Sequence, residues 1–282
     1  MKISVAKSAG FCFGVKRAIE LTLKASNIEK NVQMLGDIVH NEYVVEQLKQ
    51  AGIKKIRKLS QGKGKTLIIR AHGAPLLIYK KAKKINYKII DATCPMVKEI
   101  HLIAQNMEKK GYKIIIIGDK KHDEVLGIIG HLKKSVIVID EIKNIPFEKI
   151  KKIKKAGVVI QSTQNIEKAI KIVETIQKYV SNVCFVNTIC GPTRQKQSEI
   201  KSLPKKNDVM IIIGSKNSAN TKRLYEISKS LNKNTYWVKS SQNLRKIWFR
   251  GAKRIGITAG ASTPGYITEE ITKKIKNLTK SS

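Results

Sequence analysis

The sequence predicts an α/β fold made of three related α/β domains with pseudo-threefold symmetry. Apolar strand patterns alternate with helix patterns along the chain, as they do in proteins with parallel sheets. Three cysteines (Cys12, Cys94 and Cys190) each stand 24 residues before a glycine that closes an apolar run. Polar residues follow each glycine in a similar order, which indicates three copies of one unit. Because each copy carries a thiol, the repeat predicts a threefold arrangement around a shared centre.

Each copy is predicted to contain the same series of elements. A strand runs into the cysteine, and these strands are expected at Lys2–Ala6, Tyr87–Ile90 and Val183–Val186. A helix follows, expected at Val15–Ala25, Val97–Lys110 and Thr193–Leu203. The next strand ends at the glycine, and these strands are expected at Val32–Leu35, Lys113–Ile117 and Val209–Ile213. Another helix and further short strands complete each copy.

A further strand in each copy ends in small or polar residues. These strand ends are Leu67–Gly73, Val158–Thr163 and Ile255–Ser262. Ligands of open α/β sheets bind beyond the carboxyl ends of the strands. We therefore expect these loops, the three cysteines and the loops after the glycines to face one cavity.

The repeats also predict the domain boundaries. We expect domains at 13–93, 94–189 and 190–282. The N-terminal segment 1–12 is assigned to the third domain, because that copy otherwise lacks the strand that the other two contain.

The lysine content leaves two interpretations of the formal net charge of +35. Lysine-rich surfaces bind nucleic acids through counterion release, but codon usage rich in lysine, isoleucine and asparagine can also produce solvated basic faces. The lysines are spread along the whole chain, and aromatic residues make up only 5%, so base-stacking platforms are scarce. We favour solvated faces and expect no nucleic-acid partner, with a minor benefit in attracting anionic substrates.

The apolar segments predict a cytoplasmic protein with no membrane partner. Runs such as Ile114–Ile117 and Ile211–Ile213 are far too short to span a bilayer. The N-terminal residues lack the apolar core of a signal peptide. Four cysteines in a cytoplasmic chain favour metal or redox chemistry over disulfides.

Three thiolates from distant points of the chain can hold a metal centre. Zinc sites usually show close cysteine pairs, and ferredoxins have their own spacing, but neither pattern is present. Two alternatives remain open: a four-iron cluster with one open iron that acts as a Lewis acid, or zinc with an open fourth position. A single cysteine is usually a small buried apolar residue. That interpretation suits Cys184, which has no counterpart in the other copies.

The predicted cavity also contains candidate donors for an anionic group such as a diphosphate. Three histidines fall in strand-end loops, namely His40, His72 and His122. Hydroxyl and amide donors come from Ser162, Ser218, Asn220 and Ser262. Two other histidines, His101 and His131, have no counterparts and are expected to be structural.

Glu124 is the candidate general acid. It lies two residues after His122, and its counterpart in the first copy is Glu42. A carboxyl group close to a metal-bound oxygen is well placed to donate a proton.

Several motifs resemble those of 4-hydroxy-3-methylbut-2-enyl diphosphate reductases, the IspH/LytB family. The matching segments are Ala9–Val15, Ala71–Gly73, Asp91–Pro95, His122–Val125, Gly214–Asn220 and Thr258–Ser262. The resemblance runs from end to end, and several of the motifs are long and specific.

The resemblance implies three α/β domains around a central 4Fe–4S cluster, with the N-terminal strand joining the third domain. It implies that Cys12, Cys94 and Cys190 are the three cluster ligands and that one iron is open. The residues that match the substrate pocket are His40, His72, His122, Ser162, Ser218, Asn220 and Ser262, together with Ala219, which can offer only its backbone N–H. Glu124 matches the proton donor.

The implied reaction is the last step of the methylerythritol phosphate pathway. Family members take two electrons from a ferredoxin or flavodoxin, expel the C4 hydroxyl of the substrate as water and form isopentenyl and dimethylallyl diphosphates. Two features depart from the family pattern. Ser162 stands where threonine is usual, so Thr163 could supply that hydroxyl instead, and Gly191-Pro192 after the third cysteine is less typical but suits a helix start.

Overall fold

The computed structural model describes residues 1–280 and shows an α/β protein with three parallel sheets. The strands within these residues are β1 (Lys2–Val5), β2 (Val32–Leu35), β3 (Lys54–Ile56), β4 (Thr66–Ile69), β5 (Lys88–Asp91), β6 (Lys113–Ile117), β7 (Ile137–Ile139), β8 (Lys155–Ile160), β9 (Asn182–Phe185), β10 (Val209–Ile213), β11 (Thr235–Val238) and β12 (Arg254–Ala259).

Helices alternate with the strands along most of the described chain. They are α1 (Phe13–Ile28), α2 (Glu42–Gln50), α3 (Leu76–Lys84), α4 (Pro95–Lys109), α5 (Asp123–Ile129), α6 (Phe147–Ile150), α7 (Ile166–Gln177), α8 (Gly191–Ser202), α9 (Ala219–Leu231) and α10 (Gly265–Lys280). Short 3₁₀ helices occur at Ile142–Asn144, Leu203–Lys206, Ser241–Asn243 and Lys246–Phe249.

The three sheets have the same strand order. The first sheet is ordered β5-β4-β2-β3, the second β9-β8-β6-β7 and the third β1-β12-β10-β11, and all neighbouring strands are parallel. In each sheet the strand that runs into a cysteine lies at one edge. The N-terminal strand β1 pairs with β12, so it occupies in the third sheet the position of β5 and β9 in the other two. The predicted fold class is therefore confirmed.

The central strands are mostly apolar, and β6 shows why, because both faces of its sheet are covered. In β6, Ile115 and Ile117 pack in one buried cluster with residues of α7. Ile114 and Ile116 point to the opposite face and pack with residues of α4 and α5. Helices on both faces of a parallel sheet produce this pattern.

The described chain forms two compact units. The larger unit comprises Arg17–Ile38 and Gln47–Cys190, and it contains the first and second sheets. The smaller unit comprises Met1–Lys16, Val39–Glu46 and the chain from Gly191 onward, and it contains the third sheet. The boundaries 13–93, 94–189 and 190–282 stay a prediction. Over residues 1–280, no helix has both the length and the apolar character needed to cross a membrane.

Candidate active site

Each of the three repeated cysteines lies directly before a helix. The helices α1, α4 and α8 begin at Phe13, Pro95 and Gly191. The amide of each cysteine donates to a strand-end carbonyl: Cys12 to Ala261 at 3.1 Å, Cys94 to Ala71 at 3.0 Å and Cys190 to Ser162 at 3.2 Å. The accepting residue is always the second one after its strand, so the same bond occurs in all three copies. A helix N-terminus stabilises negative charge, which suits a thiolate ligand.

The glycines that follow the second strand of each copy are also equivalent. The amides of Gly36, Gly118 and Gly214 donate to the last residues of β3, β7 and β11 at 3.1, 2.9 and 3.0 Å. Gly214 has a φ of +149°, and an added Cβ would lie 2.6 Å from the hydroxyl oxygen of Thr221. A glycine is therefore required where this loop enters α9.

Glu124 and Ser162 meet in the larger unit. Glu124, in the first turn of α5, is 1% exposed, and Ser162 follows β8. The Ser162 amide donates to Oε1 of Glu124 at 2.6 Å, and the Ser162 hydroxyl donates to Oε2 at 2.8 Å. Thr163 instead accepts a hydrogen bond from Gln161 Nε2 at 3.1 Å. Ser162 is thus the residue whose hydroxyl contacts the predicted acid.

The environment of Glu124 favours its protonated form. Burial raises the pKa of the Glu124 carboxyl above its ordinary value, and the two hydrogen bonds from Ser162 oppose that rise. Desolvation destabilises a carboxylate more than a neutral carboxyl group. Glu124 is therefore suited to hold a proton that an exposed glutamate would lose.

His122 is held in one tautomer by the helix that carries Glu124. Its Nδ1 accepts the backbone N–H of Glu124 at 3.1 Å and so caps the N-terminus of α5. A neutral imidazole that accepts at Nδ1 carries its hydrogen on Nε2. His122 therefore presents an Nε2–H donor, and His72 stands edge-on to its ring with 5.4 Å between the ring centroids.

The two histidines predicted to be structural, His101 and His131, lie close to the residues that follow His72. His101 is 4% exposed and stacks on His131 with 4.0 Å between the centroids. Burial lowers the pKa of His101 to about 3, and burial also lowers the pKa of His131. The Nε2 atom of His131 lies 3.1 Å from the carbonyl oxygen of Ala74. Both rings are thus neutral packing groups.

The smaller unit brings together Ser218, Ala219 and Asn220 at the start of α9. Ser218 caps this helix, and its hydroxyl oxygen accepts the amide of Thr221 at 3.3 Å. Asn220 is 4% exposed, and its Nδ2 atom has no hydrogen-bond partner among the described residues. Buried amide donors rarely remain unsatisfied. The first turn of α9 therefore offers hydroxyl, amide and backbone donors of the kind that bind anions at helix N-termini.

His40 and Ser262 are linked by a hydrogen bond within the smaller unit. The hydroxyl of Ser262 donates to the carbonyl oxygen of His40 at 3.2 Å, and Ser262 directly follows Ala261, which accepts the amide of Cys12. The counterpart of Glu124, Glu42, is 53% exposed and accepts a hydrogen bond from the Ser215 hydroxyl at 3.1 Å. The two repeated glutamates therefore occupy different environments, and only Glu124 is buried.

The thiols fit an iron–sulfur cofactor. The cysteines Cys12, Cys94, Cys184 and Cys190 are half-buried thiols. Cys184 lies in β9 and packs against an apolar cluster of the second sheet, as expected for a core residue. The other three precede helices and share one backbone environment. Three soft sulfur donors of this kind suit iron–sulfur chemistry.

Lys196 is a buried residue near Cys12 that the sequence analysis missed. It is 2% exposed, and it lies on the buried face of α8 with Thr193, Gln197 and Ile200. The spacing of three and four residues between these positions was the available signal. It was overlooked because lysine is almost never fully buried.

The loops after the parallel strands carry three thiols and the buried carboxyl of Glu124, and α/β enzymes typically place their reactive groups at this end of the strands. Comparison with known proteins then gives the family. A model of the LytB protein family matches residues 3–276. The chain belongs to this family.

Curated relatives match over nearly their whole length. The chain is 43% identical over 282 residues to 4-hydroxy-3-methylbut-2-enyl diphosphate reductase of Aquifex aeolicus, covering 98% of this chain and 96% of the relative. It is 41% identical over 282 residues to the reductase of Campylobacter fetus, covering 99% of each.

Two solved structures share the fold. A structure of (E)-4-hydroxy-3-methyl-but-2-enyl diphosphate reductase, the terminal enzyme of the non-mevalonate pathway, is 41% identical, covers 98% of this chain and 100% of that chain, and has a TM-score of 0.72. The structure of the E-1-hydroxy-2-methyl-but-2-enyl-4-diphosphate reductase from Plasmodium falciparum is 29% identical, covers 96% of this chain and 87% of that chain, and has a TM-score of 0.89.

Proposed function

We propose that the chain is a 4-hydroxy-3-methylbut-2-enyl diphosphate reductase of the non-mevalonate pathway. The reaction adds two electrons and two protons to the substrate, breaks the bond to the C4 hydroxyl and releases that oxygen as water. The products are isopentenyl and dimethylallyl diphosphates. The observation that carries the proposal is the buried carboxyl of Glu124, which accepts two hydrogen bonds from Ser162. This carboxyl occurs in a chain that belongs to the LytB family.

Glu124 is proposed to deliver a proton to the leaving hydroxyl. Loss of hydroxide from carbon is slow unless the oxygen is protonated as it departs, and a positioned acid accelerates such a step. The raised pKa of Glu124 keeps a proton available, and the Ser162 hydroxyl can orient or relay it. We assign this pocket hydroxyl to Ser162 because Thr163 bonds to Gln161 instead.

The diphosphate is proposed to bind at the start of α9. Ser218 offers its hydroxyl, Ala219 its backbone N–H and Asn220 its Nδ2–H donors. We assign the remaining pocket contacts to His40, His72, His122 and Ser262. The Nε2–H of His122 can donate to a substrate oxygen, because its Nδ1 is occupied by the amide of Glu124.

The cofactor of this iron–sulfur enzyme family is proposed to be one 4Fe–4S cluster held by Cys12, Cys94 and Cys190. Three protein ligands for four irons would leave one iron open. When bound, the cluster would supply electrons and a Lewis acid for the departing hydroxyl. The reductant is proposed to be a ferredoxin or flavodoxin, and the protein is proposed to act in the cytoplasm without a nucleic-acid or membrane partner.

Metal analysis of anaerobically purified protein tests this proposal. We expect a brown protein with about four irons and about four sulfides per chain. Cys94→Ser is expected to lose iron, whereas Cys184→Ser, at a core position without a repeat counterpart, is the matched control and is expected to keep it. A colourless zinc protein would overturn the proposal and favour a zinc hydrolase.

A further inference from the structure

Lys196 makes hydrogen bonds that tie α8 to the chain around Cys12. Its ammonium group donates to the carbonyl oxygens of Ser8, Gly10 (3.0 Å) and Ala259 (3.2 Å). Ser8 and Gly10 belong to the Cys12 loop, which we define as residues 6–12, and Ala259 ends β12. One side chain therefore fixes the loop to the strand whose end also accepts the amide of Cys12, through Ala261.

Glu199 holds the same loop one helical turn further along α8. Its Oε2 atom accepts the backbone N–H of Ser8 at 3.1 Å and the Ser8 hydroxyl at 2.8 Å. Lys196 thus binds carbonyl oxygens of the loop while Glu199 binds donors of the loop. This paired arrangement specifies one loop position, because displacing the loop would leave both charged groups without their partners.

The charge of Lys196 also acts on Cys12, since Lys196 binds the carbonyl oxygen of Gly10, two residues before Cys12 in the same loop. Burial lowers the pKa of Lys196 to about 8, and electrostatic interactions with Cys12 and the Glu199 carboxylate oppose that effect. A buried ammonium is costly unless it is hydrogen-bonded, and here three carbonyl oxygens surround it. Groups just outside a metal site orient its ligands and adjust its potential.

We propose that Lys196 is a positioning residue that fixes the Cys12 loop and sets the electrostatic environment of the Cys12 sulfur. The proposal rests on the proposed function in one respect, since it takes Cys12 as a cluster ligand. Lys196 touches the backbone that carries the ligand, so its effect is transmitted through that backbone and through its charge.

Hydrogen–deuterium exchange on the full chain, with and without iron, tests the positioning role. Lys196→Met keeps the apolar stem and removes the ammonium, Lys196→Arg keeps a cation, and Lys205→Met removes an exposed lysine just beyond the same helix. In Lys196→Met we expect amides of residues 6–12 to exchange at least about tenfold faster, with β8 unchanged. Lys196→Arg should return to within about threefold of wild type, and Lys205→Met should match wild type.

Unchanged protection of residues 6–12 in Lys196→Met would overturn the proposal, and so would equal acceleration in β8, which indicates general destabilisation. If Lys196→Met fails to fold, Lys196→Gln, which keeps a polar donor and removes the charge, replaces it. That variant should accelerate exchange in residues 6–12 by at least about threefold, and the absence of any acceleration there would overturn the proposal equally.

A second measurement tests the link to the cofactor. In holoprotein, Lys196→Met should lose iron to a chelator at least about tenfold faster than wild type, and its cluster should have a lower reduction potential. Iron loss and potential equal to wild type would contradict the proposed electrostatic role. If wild-type protein binds no cluster, the proposed function fails, while the exchange experiment on the iron-free chain still decides whether Lys196 fixes the loop.

Discussion

Ser162 contacts both carboxylate oxygens of Glu124, with its amide 2.6 Å from Oε1 and its hydroxyl 2.8 Å from Oε2. The hydroxyl can donate to Oε2 when the carboxyl is ionised and accept from it when the carboxyl is protonated. The contact can therefore persist before and after proton transfer. Because the carbonyl of Ser162 also accepts the amide of Cys190, the acid and one thiol are positioned by the same loop.

Glu124→Gln should abolish turnover while the protein keeps its iron. The amide has nearly the shape of the carboxyl group but cannot donate its proton as an acid, so we expect the rate to fall at least about a hundredfold. The measurement is an anaerobic activity assay together with iron analysis. Glu42→Gln is the matched control, because it changes the repeat counterpart at an exposed position. Near-normal activity of Glu124→Gln would remove this residue from the mechanism.

Ser162→Ala should lower activity by about tenfold or more, because the hydroxyl beside the acid is lost while the backbone N–H to Oε1 remains. Ser162→Thr should keep activity, since it keeps the hydroxyl. Thr163→Val is the control, and it should stay within about threefold of wild type. If Thr163→Val were impaired and Ser162→Ala were not, the pocket hydroxyl would have to be reassigned to Thr163.

The stability of the iron-free chain should also depend on Glu124. Burial raises the pKa of this carboxyl above its ordinary value of 4.5, so the folded chain keeps a proton that the unfolded chain loses. Stability from this group is present at low pH and falls as pH rises through the folded pKa. The Tm of Glu124→Gln relative to wild type should therefore increase from about pH 5 to about pH 8. A difference in Tm that is constant over this range would show that the pKa is not raised.

Asn220→Asp should weaken substrate binding. A carboxylate at the buried start of α9 would repel the diphosphate, and we expect KM to rise at least about tenfold. Asn217→Asp adds the same charge at an exposed position of the same loop and serves as the control, with a much smaller change in KM. Steady-state kinetics at fixed ionic strength measure both. Equal effects of the two variants would show only a general response to charge.

The parts of the fold that were predicted best are those with the strongest apolar pattern. Val32–Leu35, Lys113–Ile117 and Val209–Ile213 were predicted as strands and form β2, β6 and β10 with the same bounds. They are located accurately because most of their positions are buried and apolar. The strand β3 (Lys54–Ile56) was not located, since three residues with two exposed lysines carry no such pattern.

The candidate site was predicted as a set of residue types but not as a set of contacts. The repeat identified Glu124, yet its bonds to Ser162 join residues 38 positions apart and depend on how α5 and β8 pack. Lys196 was not identified, because its burial depends on three carbonyl oxygens that the folded Cys12 loop and the end of β12 bring together. Contacts with backbone atoms cannot be predicted from the pattern of side chains along the sequence.

The most direct test of the proposed reductase activity is to count electrons and products in one anaerobic reaction. Purified holoprotein is mixed with 4-hydroxy-3-methylbut-2-enyl diphosphate and a chemically reduced one-electron donor. We expect two donor molecules to be oxidised for each substrate consumed, with isopentenyl and dimethylallyl diphosphates as the products. Consumption of substrate without donor oxidation, or no conversion by protein that contains its full complement of iron, would contradict the proposal.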